Sequence, residues 1–184
     1  TGVQTCALPI LLVIFLKFVV RGVLRKPACF LDASFALRLA PASVQAIIAR
    51  AAQAAEAEFE SLKRRIRGAR IVYADETSFS VLGKNWWVWA FRTDTDILLV
   101  VRNSRGNNVI AEILGKAYSG IVVCDCWRAY DCLTSASIQR CWAHLLRKTK
   151  ALASTVAGRH FHQKISALFD EIRTFNAKER TEKQ

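Results

Sequence analysis

The stretch that decides the fold is RIVYADETSFSVLGKNWWVWAFRTDTDILLVVR, residues 70–102. Strand-forming residues are concentrated in three runs within it, which predict the strands Arg70–Val81, Asn85–Arg92 and Asp96–Arg102. The connections around Gly83-Lys84 and Thr93-Asp94 are short enough for hairpins. We therefore expect an antiparallel three-stranded meander.

The downstream elements extend this meander into a mixed sheet. A predicted helix, Asn108–Tyr118, leads into GIVVC (Gly120–Cys124), a continuous apolar run typical of a strand buried on both faces. The helix makes this connection a crossover, so the new strand is expected to pair beside the first. Three elements follow: a short helical stretch (Trp127–Leu133), a fifth strand (Ser137–Cys141) and a basic helix (Ala143–Ala153). The order β-β-β-α-β-α-β-α predicts an α/β fold with an RNase H-like mixed five-stranded sheet over residues 68–158.

The upstream residues, 11–67, predict a helical arm. From Phe35 the sequence indicates one long helix that Gly68 ends, with Pro41 suited to its first turn and many alanines within it. The preceding residues and the turn at Ala40-Pro41 suggest a helix-turn-helix that contacts DNA, and a packing helix that joins domains is the equal alternative. The apolar run Ile10–Val20 contains Lys17 and has its other positive charges after it, so a soluble helix is favoured over a membrane span or a signal peptide.

The first residues, 1–10, read TGVQTCALPI, which resembles the conceptual translation of a common sequencing-adapter oligonucleotide. On that hypothesis the segment is an artefact and the chain begins in mid-protein. A genomic read across the junction decides the matter.

Composition indicates a polyanionic partner. Lys and Arg number 27 against 15 acids, for a net charge of +12, which repels itself unless something anionic lies against the surface. Nucleic acid is the leading partner, with a merely basic protein or one that binds anionic lipid as alternatives. Of six cysteines, two flank an aspartate at a predicted buried strand, so reduced cytoplasmic thiols are favoured over disulfides.

Two aspartates are the candidate catalytic groups. Asp75 lies midway along the first predicted strand, and Asp125 directly follows the strand GIVVC. If the crossover strand pairs beside the first, the two carboxylates are expected side by side and buried, so that they repel, and a divalent cation is the natural compensation. Hard oxygen ligands favour Mg²⁺ or Mn²⁺, and a pair of such ions supports phosphodiester chemistry. Taken singly, each aspartate is more often a strand-end cap or a surface residue.

Three stretches carry a resemblance to a known family: YADETSFSVLGKNWWVW, NSRGNNVIAEILGKAYSGIVVCDCWRAYD and QRCWAHLLRKTKAL. The chain resembles the DDE transposases of insertion sequence 66 over roughly Phe35 to Glu179. The resemblance implies an RNase H-like sheet, with Asp75 and Asp125 as the first and second catalytic aspartates and both as magnesium ligands. Glu76 is expected on the opposite face of its strand from Asp75. Cys126 departs from the family, whose members tend to have glycine there.

The resemblance also implies an incomplete site. The family's third acid, a glutamate, lies on a downstream helix after paired asparagines, and this sequence has no such motif. The glutamates near the end (Glu171, Glu179 and Glu182) fall within residues 159–184, which are predicted to begin a helical insertion or connector. We therefore expect a fragment, truncated at both ends and inactive alone.

The pair Cys141 and His144 has the spacing C-x-x-H. It supplies at most half a zinc site, because no second pair at ligand spacing follows. By the resemblance His144 orients the scissile phosphate or holds the active site together, and a structural histidine is the alternative. Five cations are expected to flank the cleft and bind DNA: Arg102, Arg105, Arg140, Arg147 and Lys148.

These observations predict a transposase that cleaves DNA and transfers strands with two divalent ions. Its partners would be the transposon ends and the target DNA, and its active form a homo-oligomer at the nucleoid in the cytoplasm. A non-catalytic DNA-binding remnant of a transposable element and an RNase H-like nuclease remain the alternatives.

Overall fold

The computed structural model describes residues 10–182, and describes side chains as far as residue 176. The adapter hypothesis concerns residues that lie, Ile10 excepted, outside this range. The chain divides into two compact units, Thr1–Ser61 and Leu62–Gln184.

The first unit is helical. Residues 10–14 are α-helical and continue into a π-helical turn, Phe15–Val19. Two helices follow, α1 (Arg25–Phe35) and α2 (Pro41–Ala54), and a third, α3 (Glu56–Gly68), crosses the boundary between the units. The core of the unit consists of Val13, Ala28, Leu31, Val44 and Ile47. Across residues 10–182, no helix is both long and apolar enough to span a membrane.

The prediction of one long helix from Phe35 is wrong. Helix α1 ends at Phe35, and Ala36 takes the left-handed conformation (φ 52°) with its N–H on the carbonyl of Asp32. Pro41 then restricts Ala40 to extended backbone (φ −71°, ψ 149°), which excludes a helix across that residue. A second interruption at Ala55 separates α2 from α3.

The second unit contains the predicted mixed five-stranded sheet, so the α/β prediction is confirmed. Its strands are β1 (Ile71–Val81), β2 (Lys84–Arg92), β3 (Ile97–Arg102), β4 (Ile121–Cys124) and β5 (Ser137–Arg140). Their order is β3-β2-β1-β4-β5. The first three form the antiparallel meander, and β4 pairs parallel to both β1 and β5. The crossover therefore places β4 beside β1, as predicted.

Two local predictions need correction. The tight turn between β1 and β2 is Leu82-Gly83, one residue earlier than expected, because Lys84 already pairs with Val81. The crossover helix, α4 (Asn107–Ile113), is shorter than the predicted Asn108–Tyr118. Gly115 adopts φ 83°, and its N–H bonds the carbonyl of Ala111, which is a glycine C-terminal cap.

The core of this unit lies against one face of the sheet. Trp89 and Phe91 of β2 are fully buried and stack with ring centroids 6.2 Å apart. Tyr130, from a 3₁₀ helix (Arg128–Cys132), packs edge-on against Trp89 at 6.3 Å. Burial of these large rings fixes which face of β1 and β2 is interior.

Two helices complete the second unit, α5 (Trp142–Ala151) and α6 (Val156–Glu182). They pack together through Trp142 and Phe169, whose rings lie 5.4 Å apart. The Thr149 hydroxyl and His162 Nδ1 are 2.8 Å apart across the same pair of helices.

Candidate active site

Strand β1 presents two acids on opposite faces. Val72 and Ala74 are buried, and alternation continues to Glu76, whose side chain is 1% exposed. Asp75 lies on the other face, as the sequence predicts, but it is exposed and not buried as expected, because the core covers only the opposite face of the strand. The backbone N–H of Glu76 donates to Asp75 Oδ1 at 3.0 Å.

Asp125 follows β4 and comes beside Asp75. In the parallel register Tyr73 pairs with Val123, and each aspartate lies two residues beyond that pair. Both aspartates line the same pocket. The N–H of Trp127 donates to Asp125 Oδ1 at 2.8 Å, an Asx-type contact that orients the carboxylate.

The same pocket is lined by Cys141 and His144. Cys141 precedes α5, and His144 lies in its first turn. The Nδ1 atom of His144 is buried and has no hydrogen-bond partner in the described part of the chain, which is rare for a buried polar atom. His144 therefore lines the pocket with a ring whose Nδ1 is shielded from solvent and unpaired among the described residues.

Glu76, the other acid of β1, lies on the core face of the sheet, opposite to Asp75. Glu76 Oε1 accepts from Arg105 Nε at 2.9 Å and lies 2.8 Å from Nη2, while Oε2 accepts from the Tyr130 hydroxyl at 3.0 Å. Burial raises the pKa of Glu76, and the hydrogen bonds from Arg105 and Tyr130 oppose that rise. Burial likewise raises the pKa of Tyr130, so its hydroxyl remains a donor.

Arg105 connects Glu76 to Asp125. Its Nη2 lies 4.0 Å from Asp125 Oδ2. Its guanidinium carbon lies 4.3 Å from the centre of the Trp127 ring, and Trp127 Nε1 donates to the Arg105 carbonyl at 3.1 Å. Arg105 is thus held by a carboxylate on one side and by an indole on another.

Arg140 supports the backbone around Asp125. Its Nη1 donates to the Asp125 carbonyl at 2.8 Å, and its Nη2 donates to Asp131 at 2.7 Å. These contacts join the end of β5 to the segment after β4. Cys126, the departure from the family pattern, is half-buried in that segment.

The other three predicted DNA-binding residues form their contacts elsewhere in the second unit. Arg102 forms a bidentate ion pair with Glu112 of α4, which lowers the pKa of Glu112. Arg147 and Lys148 are exposed on α5, and Arg147 donates to the carbonyl of Ala143 in its own helix. Of the five cations, Arg105 and Arg140 contact Asp125.

Among the side chains that the structure describes, residues 10–176, no three of His, Cys, Asp or Glu come together closely enough to hold a metal ion. Cys141 and His144 therefore gain no further ligands that would complete a zinc site among these residues. Asp75 and Asp125 are the carboxylates that the pocket offers to a cation.

Sequence reasoning missed several residues around the aspartates. Arg92 and Tyr73 also line the pocket and stack on each other, with the guanidinium carbon 5.8 Å from the ring centre. The contact of Glu76 with Tyr130 joins residues far apart in the chain, so no local spacing could have predicted it. The clearest available signal was an acid at a core-facing position of a strand, because a buried carboxylate needs partners.

The family model described as "Transposase IS66 family" matches residues 12–184. No curated protein matches the chain.

Proposed function

The chain belongs to the IS66 family of transposases, and from that premise we propose that it performs the DNA chemistry of transposition at Asp75 and Asp125. Hydrolysis breaks a phosphodiester at the transposon end: the oxygen of water bonds to phosphorus, and the 3′ oxygen leaves as a hydroxyl. In strand transfer that hydroxyl attacks a target phosphodiester and displaces the target's own 3′ oxygen, which takes up the proton.

One observation carries the proposal: two carboxylates from neighbouring parallel strands line a single pocket. The strand order β3-β2-β1-β4-β5, with an antiparallel meander and two parallel strands, agrees with an RNase H-like sheet. The sequence resemblance assigns the two catalytic aspartates of that fold to the first strand and to the end of the fourth.

The donor set fits a divalent cation. Each aspartate has Oδ1 hydrogen-bonded by a backbone N–H, so Oδ2 is the less committed oxygen for a metal. Magnesium is commonly bound by only one or two carboxylates together with water and substrate phosphates, so two protein ligands are compatible with an ion that DNA helps to hold. When bound, Mg²⁺ or Mn²⁺, two ions in the complete site, would activate the attacking oxygen and stabilise the leaving one.

The remaining pocket residues bind and orient DNA in this proposal. His144, which lines the same pocket as the two aspartates, orients the scissile phosphate. Arg140 fixes the backbone at Asp125. Exposed Arg147 and Lys148 contact phosphates along α5, and the net charge of +12 favours a long DNA contact. The complex forms on transposon ends and target at the nucleoid, as a homo-oligomer.

A strand-transfer assay tests the function. The complete gene of the element that encodes this chain would be expressed and incubated with labelled element ends, supercoiled target plasmid and Mg²⁺. We expect joined products that disappear in Asp75→Asn and Asp125→Asn variants. Cleavage without joining would identify a nuclease instead, and DNA binding without either reaction would identify a non-catalytic remnant.

A further inference from the structure

We propose that Glu76 is a positioning residue that restrains Arg105 and thereby keeps Asp125 available to a divalent cation. This inference rests on the proposed function, because it takes Asp125 to be a metal ligand. Glu76 itself lies on the core face of β1, opposite to Asp75, and would not touch the ion.

Arg105 lies between two carboxylates and is much closer to Glu76 than to Asp125. Its Nη2 lies 2.8 Å from Glu76 Oε1 and 4.0 Å from Asp125 Oδ2. The first is a close ion pair, which the hydrogen bond from Arg105 Nε to the same Glu76 oxygen reinforces, and the second is too long for a hydrogen bond. Because Asp125 Oδ1 already accepts the N–H of Trp127, Oδ2 is the oxygen for which Arg105 and a metal would compete.

The surroundings of Glu76 strengthen its hold on the Arg105 guanidinium. The Glu76 side chain is 1% exposed, so water screens its attraction for Arg105 only weakly. The Tyr130 hydroxyl donates to the other carboxylate oxygen, Oε2, at 3.0 Å, so Oε1 is left to Arg105. The Trp127 ring, 4.3 Å from the guanidinium carbon, limits the movement of Arg105 on another side.

Loss of the Glu76 charge would release this restraint. The guanidinium would then be free to close the remaining gap to Asp125 Oδ2 and form the charge-assisted hydrogen bond that Glu76 now takes up. A bound guanidinium at Oδ2 opposes a metal ion both by occupying the oxygen and by charge repulsion. Arg105 would thus inhibit metal binding in the absence of Glu76.

The test is Mn²⁺ affinity of the 184-residue chain, measured by calorimetry at one pH in wild type, E76Q, R105Q and the double variant E76Q/R105Q. We expect E76Q to weaken Mn²⁺ binding by about tenfold, as a cation at contact distance opposes a second one. R105Q should bind at least as tightly as wild type. The double variant should regain the affinity of R105Q, because the competing cation is gone.

Two controls separate this mechanism from general damage. Tyr130→Phe removes the other partner of Glu76 but leaves its charge and its pair with Arg105, so affinity should stay within about twofold of wild type. Thermal melts establish folding of each variant. If E76Q does not melt cooperatively, Glu76→Asp is used in its place, because the shorter side chain withdraws the charge from Arg105. We expect the same loss of Mn²⁺ affinity, and the same recovery when R105Q is added.

The outcomes are distinct. E76Q with wild-type affinity, a double variant as weak as E76Q, or Y130F as weak as E76Q would each overturn the role of Glu76. D125N measured alongside tests the premise: if it binds Mn²⁺ as wild type does, the proposed metal site itself fails. Loss of binding in D125N with no effect in E76Q leaves the proposed function standing and removes only this inference.

Discussion

Asp75 and Asp125 line one pocket because each lies two residues beyond the Tyr73–Val123 pair of neighbouring parallel strands. We expect Asp75→Asn and Asp125→Asn each to abolish Mn²⁺ binding without lowering the melting temperature of the metal-free protein, since each change removes one of two like charges. Calorimetric titration and thermal melts measure both effects. Asp94→Asn, an exposed loop acid, is the matched control and should change neither. Unchanged metal binding in either pocket variant would contradict the site.

DNA binding should depend strongly on salt and little on sequence, because the positive charge is spread over many residues. Counterion release predicts a slope of log affinity against log salt of about −0.9 per phosphate contact. Fluorescence anisotropy with two unrelated duplexes measures the slope. Replacing Arg147 and Lys148 together by glutamine should reduce its magnitude by about 1.8, that is about 0.9 for each contact. An affinity that does not change with salt would show that phosphate contacts are not responsible.

The backbone of the turn between β1 and β2 is strained, and a substitution can relieve that strain. Leu82 adopts φ 50° while its side chain is 98% exposed, and Gly83 follows with φ 75°. Two positive φ angles define the turn type that prefers Asn-Gly. Leu82→Asn should therefore raise the free energy of unfolding by about 1 kcal/mol, the order of the left-handed penalty.

Gly83→Ala is the control for that turn and should lower the free energy of unfolding. It introduces a Cβ at a positive φ although no atom lies within 4 Å of the added carbon, so any loss of stability would come from the backbone alone. Urea denaturation of both variants measures the changes. A Leu82→Asn variant less stable than wild type would mean that the side chain contributes packing that its exposure does not indicate.

Cys124 and Cys29 should differ sharply in reactivity. Burial raises the pKa of the Cys124 thiol to about 11, and the side chain is almost inaccessible, whereas Cys29 is exposed on α1. Because the thiolate is the nucleophile, iodoacetamide at about pH 8 should alkylate Cys29 and leave Cys124 unmodified in the folded chain. Peptide mass spectrometry identifies the labelled site, and denaturant should abolish the difference. Equal labelling before denaturation would contradict the buried position of β4.

The sequence by itself determined the strands of the second unit and their pairing. Strand-forming runs and short connections predict the meander, and the apolar run Gly120–Cys124 after a helix predicts the parallel strand beside β1. These features follow from local periodicity and from the handedness of crossovers, so they require no knowledge of distant contacts. They were also enough to place Asp75 and Asp125 together.

Only the tertiary structure decided the rest. Helix propensity favoured a continuous helix from Phe35, but the left-handed Ala36 and the extended Ala40 before Pro41 interrupt it. The partners of Glu76 come from separate segments, so their contact depends on the assembled core, which no spacing along the chain encodes. Propensity and periodicity are properties of neighbouring residues, whereas the surroundings of a buried charge are set by whichever distant groups the fold brings to it.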